Sequence, residues 1–224
     1  MKRWGWAGSG VVLALLLSGC NAISGGGGGA DDLLRPTPQS SAEVGAGGLG
    51  SLSLASSEVD GFAVSGSADR REVRDAPDDC APLAQALSGA VVADPESTEA
   101  RQVTGEGAIV TVVLAGYGDG KASAAMDRLA ASTDRCAEGF TVTVDGAEHR
   151  FEAALPELAP QGAEQAMALS ARVEQGEEKT PVKVVVLRQG NTLAYLSAIP
   201  DGVATKDFAV PPPVIGAQLL KLAQ

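Results

Sequence analysis

The sequence predicts an α+β fold, an antiparallel sheet packed against two or three helices and closed by one disulfide. Two turn signals carry the sheet. Asp145-Gly146 and Gln189-Gly190-Asn191 each sit between runs rich in β-branched and apolar residues, and such pairs of runs fold back on themselves as hairpins. Two segments carry the helices, with apolar residues spaced at three and four, the interval of one helix face. Hairpin-linked strands together with few helices are the pattern of an α+β domain.

Taken in order, Val59 to Val64 is the first candidate strand, interrupted by Gly61. A charged connection runs from Asp69 to Asp79. Asp78 or Asp79 can cap a short helix, with Pro82 tolerated in its first turn and Gly89 ending it. Cys80, Leu83, Ala84 and Leu87 share its inner face. Ala108 to Leu114 has the length and residue type of an interior strand. The run Gly116-Tyr117-Gly118-Asp119-Gly120 breaks it, and Asp119 is a candidate cap for a helix from Lys121 to Arg135. Ala122, Ala125, Met126, Leu129 and Cys136 keep the helical period. Thr141 to Val144 and His149 to Leu155 form the first hairpin. Met167, Leu169, Ala171 and Val173 alternate with Ala168, Ser170 and Arg172, as in a half-buried strand. Val182 to Arg188 and Thr192 to Ile199 form the second hairpin, and Pro211 to Pro213 open a last helix through Leu222.

The first twenty residues set the location. Lys2 and Arg3 precede the apolar run Val11 to Leu17 and the small residues Ser18 and Gly19, the layout of a secretory signal. The run falls well short of the ~20 residues that span a bilayer. Leu17-Ser18-Gly19-Cys20 resembles the lipobox of bacterial lipoproteins. That resemblance implies cleavage before Cys20 and acylation of its thiol, so that Cys20 is the lipidation site and the membrane is reached through covalent lipid. Two acyl chains, at ~0.8 kcal/mol per buried methylene, anchor stably where one does not. The expected location is the outer face of the cytoplasmic membrane.

Domain organisation follows: signal peptide 1–19, lipidated N-terminus and tether 20–50, globular part 51–224. The tether holds the glycine run Gly25 to Gly29, Pro36, Pro38 and the Gly45 to Gly50 cluster. It has too little apolar surface to offset its ordering entropy, and as a coil of about 30 residues it reaches ~30 Å. Without Lys2 and Arg3 the 17 basic residues become 15 against 28 acidic ones, a net of −13. A phosphate-tracking surface needs the opposite sign, which argues against a nucleic-acid partner. Both tryptophans, Trp4 and Trp6, leave with the leader. The richness in Ala, Gly and Val is that of a high-GC genome, such as an actinomycete's.

With Cys20 acylated, Cys80 and Cys136 remain in an oxidising compartment, where a disulfide is the default state. Neither belongs to the close Cys-x-x-Cys or His-x-His spacing of a zinc site. The bridge would join the two helices.

The globular part resembles the PknH-like extracellular sensor domain of actinobacteria, and small actinobacterial lipoproteins of uncharacterised function. The residues that carry the likeness are Asp79-Cys80-Ala81-Pro82-Leu83, Ala124 to Leu129 leading to Arg135-Cys136, and Val184-Val185-Val186-Leu187-Arg188-Gln189-Gly190-Asn191. The likeness covers residues 52–222. It implies an antiparallel sheet packed on helices, with a cleft for a ligand of unknown identity. This chain lacks the second disulfide of that domain, and has neither its kinase nor its transmembrane segment.

No catalytic constellation emerges, and the reading assigns no catalytic residue, no metal ligand and no cofactor. A phosphate loop would need Gly at Ala115 and Ser or Thr at Ala122, and a dinucleotide fingerprint would need Gly at Lys121. His149, the single histidine, shares a strand face with Phe151 and Ala153, and no Gly-x-Ser-x-Gly elbow offers it a serine. The carboxylate pairs Asp31-Asp32, Asp78-Asp79 and Glu177-Glu178 have polar neighbours, unlike a catalytic acid in an apolar pocket. Tyr117, Phe140 and Tyr195 fit a cleft lining and a packed core equally. The expected role is a non-enzymatic ligand-binding or sensing module with a small-molecule or protein partner. The alternative is an accessory subunit of an envelope complex.

Overall fold

The computed structural model describes residues 46–66, 71–203 and 208–224. The leader, Cys20 and most of the expected tether lie outside the described residues. Among the described residues ten antiparallel strands form one sheet. In chain order they are β1 (Ala63–Ser65), β2 (Val73–Arg74), β3 (Ser97–Gly105), β4 (Ala108–Gly116), β5 (Phe140–Val144), β6 (Ala147–Phe151), β7 (Leu155–Glu157), β8 (Gln165–Gln175), β9 (Glu178–Gln189) and β10 (Thr192–Pro200). Across the sheet they lie in the order β1-β3-β4-β10-β9-β8-β6-β5-β2, with β7 also on β8. Four helices accompany them: α1 (Ala46–Leu52), α2 (Ala81–Leu87), α3 (Lys121–Arg135) and α4 (Pro212–Leu222).

The two expected hairpins form at their turn residues. Asp145 and Gly146 both take positive φ, 51° and 82°, the two-residue turn whose twist matches that of the strands. Gly190 does the same at φ 56° between β9 and β10. The helix expected from Lys121 to Arg135 is α3, and it buries Ala122, Ala125, Met126 and Leu129 as its period requires.

Helices cover both faces of the sheet. Val113 and Ala115 of β4, Leu193 and Tyr195 of β10 and Val184 and Val186 of β9 pack with α2 and α3. Val110, Val112 and Leu114, Ala194 and Leu196, and Val185 and Leu187 pack on the opposite side with Leu49 and Val214. Strands buried on both faces read as unbroken apolar runs rather than as alternation, which is how β4, β9 and β10 read.

Three sequence expectations need correction. The folded part starts no later than Ala46, inside the stretch taken as tether, because Leu49 and Leu54 are fully buried. Its helix, α1, contains three glycines, and α4 holds its far end. Gln218 Nε2 donates to Leu52 O at 3.1 Å and Lys221 Nζ to Ser51 O at 3.1 Å, so tertiary contacts outweigh poor helix propensity. With α1 the described residues hold four helices, beside the two or three expected. Strand is absent from Val59 to Phe62, where a short 3-10 turn at Ser56–Glu58 precedes β1. The run from His149 to Leu155 is two strands, β6 and β7, both paired with β8.

None of the three expected aspartates, Asp78, Asp79 and Asp119, caps its helix. Asp79 instead pairs with Arg135 at 2.6 Å, and Asp119 accepts from Asn191 Nδ2 at 2.9 Å. The buried Ser132 of α3 serves α2 in their place. Its hydroxyl accepts from Leu83 N at 3.3 Å and donates to Asp79 O at 2.6 Å. Capping thus comes from a neighbouring helix, satisfying an amide at the start of α2 that has no partner within its own helix. Cys80 and Cys136 form the disulfide between α2 and α3, with Cα atoms 5.8 Å apart.

Candidate functional site

A cavity of about 250 Å³ opens on the α2–α3 face of the sheet. Its floor is sheet. Thr180, Val173 and Phe151 lie side by side across β9, β8 and β6, and Thr111 faces Ser197 across β4 and β10. One wall is the end of α2, at Leu87 and Ser88, and the other is the β5–β6 hairpin, through Val144, His149 and Phe151. Arg71, Gln175, Glu178, Val182 and Ile199 complete the lining.

Local sequence explains how these side chains arrive. On the hairpin, Phe140 faces Phe151 and Val142 faces His149, and the period of two sends all four inward. The turn residue Asp145 then holds the chain entering β2. It accepts from Glu72 N at 2.9 Å and from Arg71 Nη1 at 2.8 Å, and its own N–H donates to Glu72 O at 2.9 Å. The backbone donor first, and Arg71 with it, hold the Asp145 carboxyl below the usual range. These bonds place the guanidinium at the cavity. Gly89, at φ 74°, brings the chain after α2 down onto Thr111 and Ser197, leaving an added Cβ only 3.4 Å from Thr111 Cγ2. Ser197 Oγ donates to Leu87 O at 3.2 Å, while the buried Ser88 Oγ has no partner among the described residues.

His149 is half-buried in the lining. Loss of water first, and the Arg71 charge second, depress its pKa below the ordinary 6.5, while Asp145 pulls the other way. Near pH 7 this favours the neutral imidazole. A histidine whose folded pKa is lowered adds stability that is present above its unfolded pKa and is lost as pH falls through the folded value. Unfolding free energy should accordingly decline with acid below pH 6.5, and part of that decline should vanish in His149→Gln. With one histidine in the chain, a proton NMR titration reads it directly. A midpoint above 6.5 would contradict the burial described here.

The chain has structural likenesses but no family match. No family model and no curated protein matches it. Its fold is similar to the extracellular domain of PknH from Mycobacterium tuberculosis, at 16% identity and a TM-score of 0.49, over 77% of this chain and 91% of that one. It is also similar to a putative uncharacterised protein from Mycobacterium smegmatis, an Rv0999 ortholog, at 17% identity and a TM-score of 0.37, over 75% and 90%. Neither likeness assigns a role to a residue here.

The aromatics divide. Phe151 lines the cavity, whereas Tyr117, Phe140 and Tyr195 are core. The two tyrosines close a ring of hydrogen bonds on the loop after α2. Val92 N donates to Tyr195 Oη at 3.3 Å, the two hydroxyls lie 3.0 Å apart, and Tyr117 Oη donates to Val92 O at 2.6 Å. Each hydroxyl can thus donate once and accept once. Burial pushes the Tyr117 hydroxyl up to about 12, and Tyr195 is raised further, again chiefly by burial. Tyr195→Phe leaves the Val92 amide without its acceptor, which should cost ~1–3 kcal/mol. Urea unfolding reads it, and a loss under ~0.5 kcal/mol would mean that the ring is not closed in solution.

Of the carboxylate pairs, Asp78-Asp79 lies away from the cavity, Glu178 lines it, and Asp31-Asp32 lies outside the described residues. Arg71, Ser88, Thr111 and Ser197 were not singled out by sequence. Thr111 and Ser197 did leave a trace there, as hydroxyl residues on the inward face of strands otherwise apolar from Ile109 to Ala115 and from Leu193 to Ile199. Arg71 left none, because Asp145, which places it, is 74 residues away. Among the described residues no group of three His, Cys, Asp or Glu side chains could hold a metal, and no helix is long and apolar enough to cross a membrane.

Proposed function

We propose that this chain is an extracytoplasmic, non-enzymatic ligand-binding or sensing module, held on the outer face of the cytoplasmic membrane by acyl chains on Cys20 and displayed on the segment before α1. The observation that carries the reading is the cavity. It combines an apolar interior with a few convergent polar groups, the composition of small-molecule sites. The lipobox resemblance supports the anchor, and the Cys80–Cys136 bridge agrees with an oxidising compartment.

Native mass spectrometry of detergent-extracted protein tests both halves. The expected result is an acylated Cys20 as N-terminus, with a small molecule retained by the folded domain. An unmodified thiol at Cys20 would remove the anchor. Turnover of a peptide, glycan or ester, abolished by changing a residue of residues 51–224, would remove the non-enzymatic reading.

A second reading, an accessory subunit of an envelope complex, has one observation in its favour. Leu155 of β7 and Leu158 just beyond it are 62% and 95% exposed, and adjacent exposed leucines suit a protein contact.

A further inference from the structure

We infer that the cavity takes a small carboxylate with a short apolar body, its head between Arg71 and His149 and its body against Leu87, Val182 and Ile199. This deepens the ligand-binding reading and rests on it. The size sets the scale: about 250 Å³ is roughly eight times the share of one water in the liquid, room for about eight to ten non-hydrogen atoms.

The head group follows from the charges that face the cavity. Arg71 donates to Asp145 through Nη1 alone, so its other guanidinium nitrogens have no partner among the described residues. A guanidinium offers five N–H donors in a planar fork that matches a carboxylate. At His149 the positive influence of Arg71 exceeds the negative one of Asp145. The neutral imidazole adds one more N–H. Glu178, also in the lining, carries the opposing charge, and an anionic head is therefore held to the Arg71 side. The far end of the cavity presents the unpartnered Ser88 hydroxyl beside apolar Leu87.

The test uses full-length protein in lipid nanodiscs, with isoleucine methyl groups labelled. The chain has four isoleucines. Ile199 lines the cavity, and Ile215 on α4 is the control on the opposite face of the sheet. Hexanoate, hexan-1-ol, hexylamine and acetate are titrated while the Ile199 methyl signal is followed. Hexanoate should move Ile199 and leave Ile215 still, and it should bind at least about fivefold more tightly than the other three. Arg71→Gln should weaken hexanoate about tenfold and hexan-1-ol less than twofold, with Arg71→Lys recovering part of the loss. An unshifted Ile215 signal certifies that each variant is folded. Equal binding of alcohol, amine and carboxylate would overturn the inference about the head while leaving a binding cavity. If none of the probes moved Ile199 at tens of millimolar, the cavity would not be a small-molecule site and the ligand-binding reading would fall with it.

Discussion

Removing the Cys80–Cys136 bridge, by changing both residues to alanine, should cost about 4 kcal/mol of unfolding free energy on the chain-entropy account. The separation of 56 residues sets that figure, because a long closed loop restricts the unfolded chain strongly. The native state should feel the loss most at α2. This helix has seven residues, too few to hold together alone, and it stands by the bridge, the Ser132 cap and the burial of Leu83, Ala84 and Leu87. Its last turn is a wall of the cavity, so amide exchange from Leu83 to Gly89 should quicken before the sheet is affected. Urea unfolding of the double variant beside wild type is the measurement. A difference below ~1 kcal/mol would show that the unfolded chain is already compact across this loop.

Gly139→Ala should be nearly as damaging, at about 3 kcal/mol. Gly139 takes φ 80° between α3 and β5, a region that costs an L-residue ~1–2 kcal/mol. An added Cβ would also run into the carbonyl oxygen of Phe151 and approach Glu152 Cα at 3.2 Å. Both obstacles are backbone, so relief requires β6 to shift, and overpacking of that kind costs ~1–3 kcal/mol. Phe151 and His149 both sit on β6, and the strand cannot move without moving the cavity wall. The variant should therefore lose stability and shift the His149 titration together. Full stability with an unchanged titration would mean that the junction yields more easily than its contacts indicate.

The two changes lie three residues apart in the chain, at Cys136 and Gly139, and elements legible in the sequence lie on both sides of them. Before them α3 could be read to its end residues, since its period of apolar positions is a local property. Beyond them the β5–β6 and β9–β10 hairpins could be read from Asp145-Gly146 and Gln189-Gly190-Asn191, because turn residues constrain their own φ angles whatever surrounds them. The strand β3 escaped notice. Its sequence from Ser97 to Gly105 buries only Val103 fully, so it shows neither alternation nor an apolar run. The helix α1 escaped for the opposite reason: its glycines argue against a helix, and tertiary contacts such as those from Gln218 and Lys221 and the burial of Leu49 hold it.

Local pattern therefore decided the class of fold, the sheet's hairpins and its longest helix, and the oxidising compartment expected of the chain pointed to the bridge between Cys80 and Cys136. What it could not decide was where polar groups meet. His149 and Arg71 reach one cavity through a turn residue, Asp145, bonded to backbone 73 residues away, and Ser132 caps a helix 49 residues before it. Side-chain period and turn geometry are properties of neighbours in sequence, whereas the site is a property of neighbours in space, brought together only when both faces of the sheet are buried.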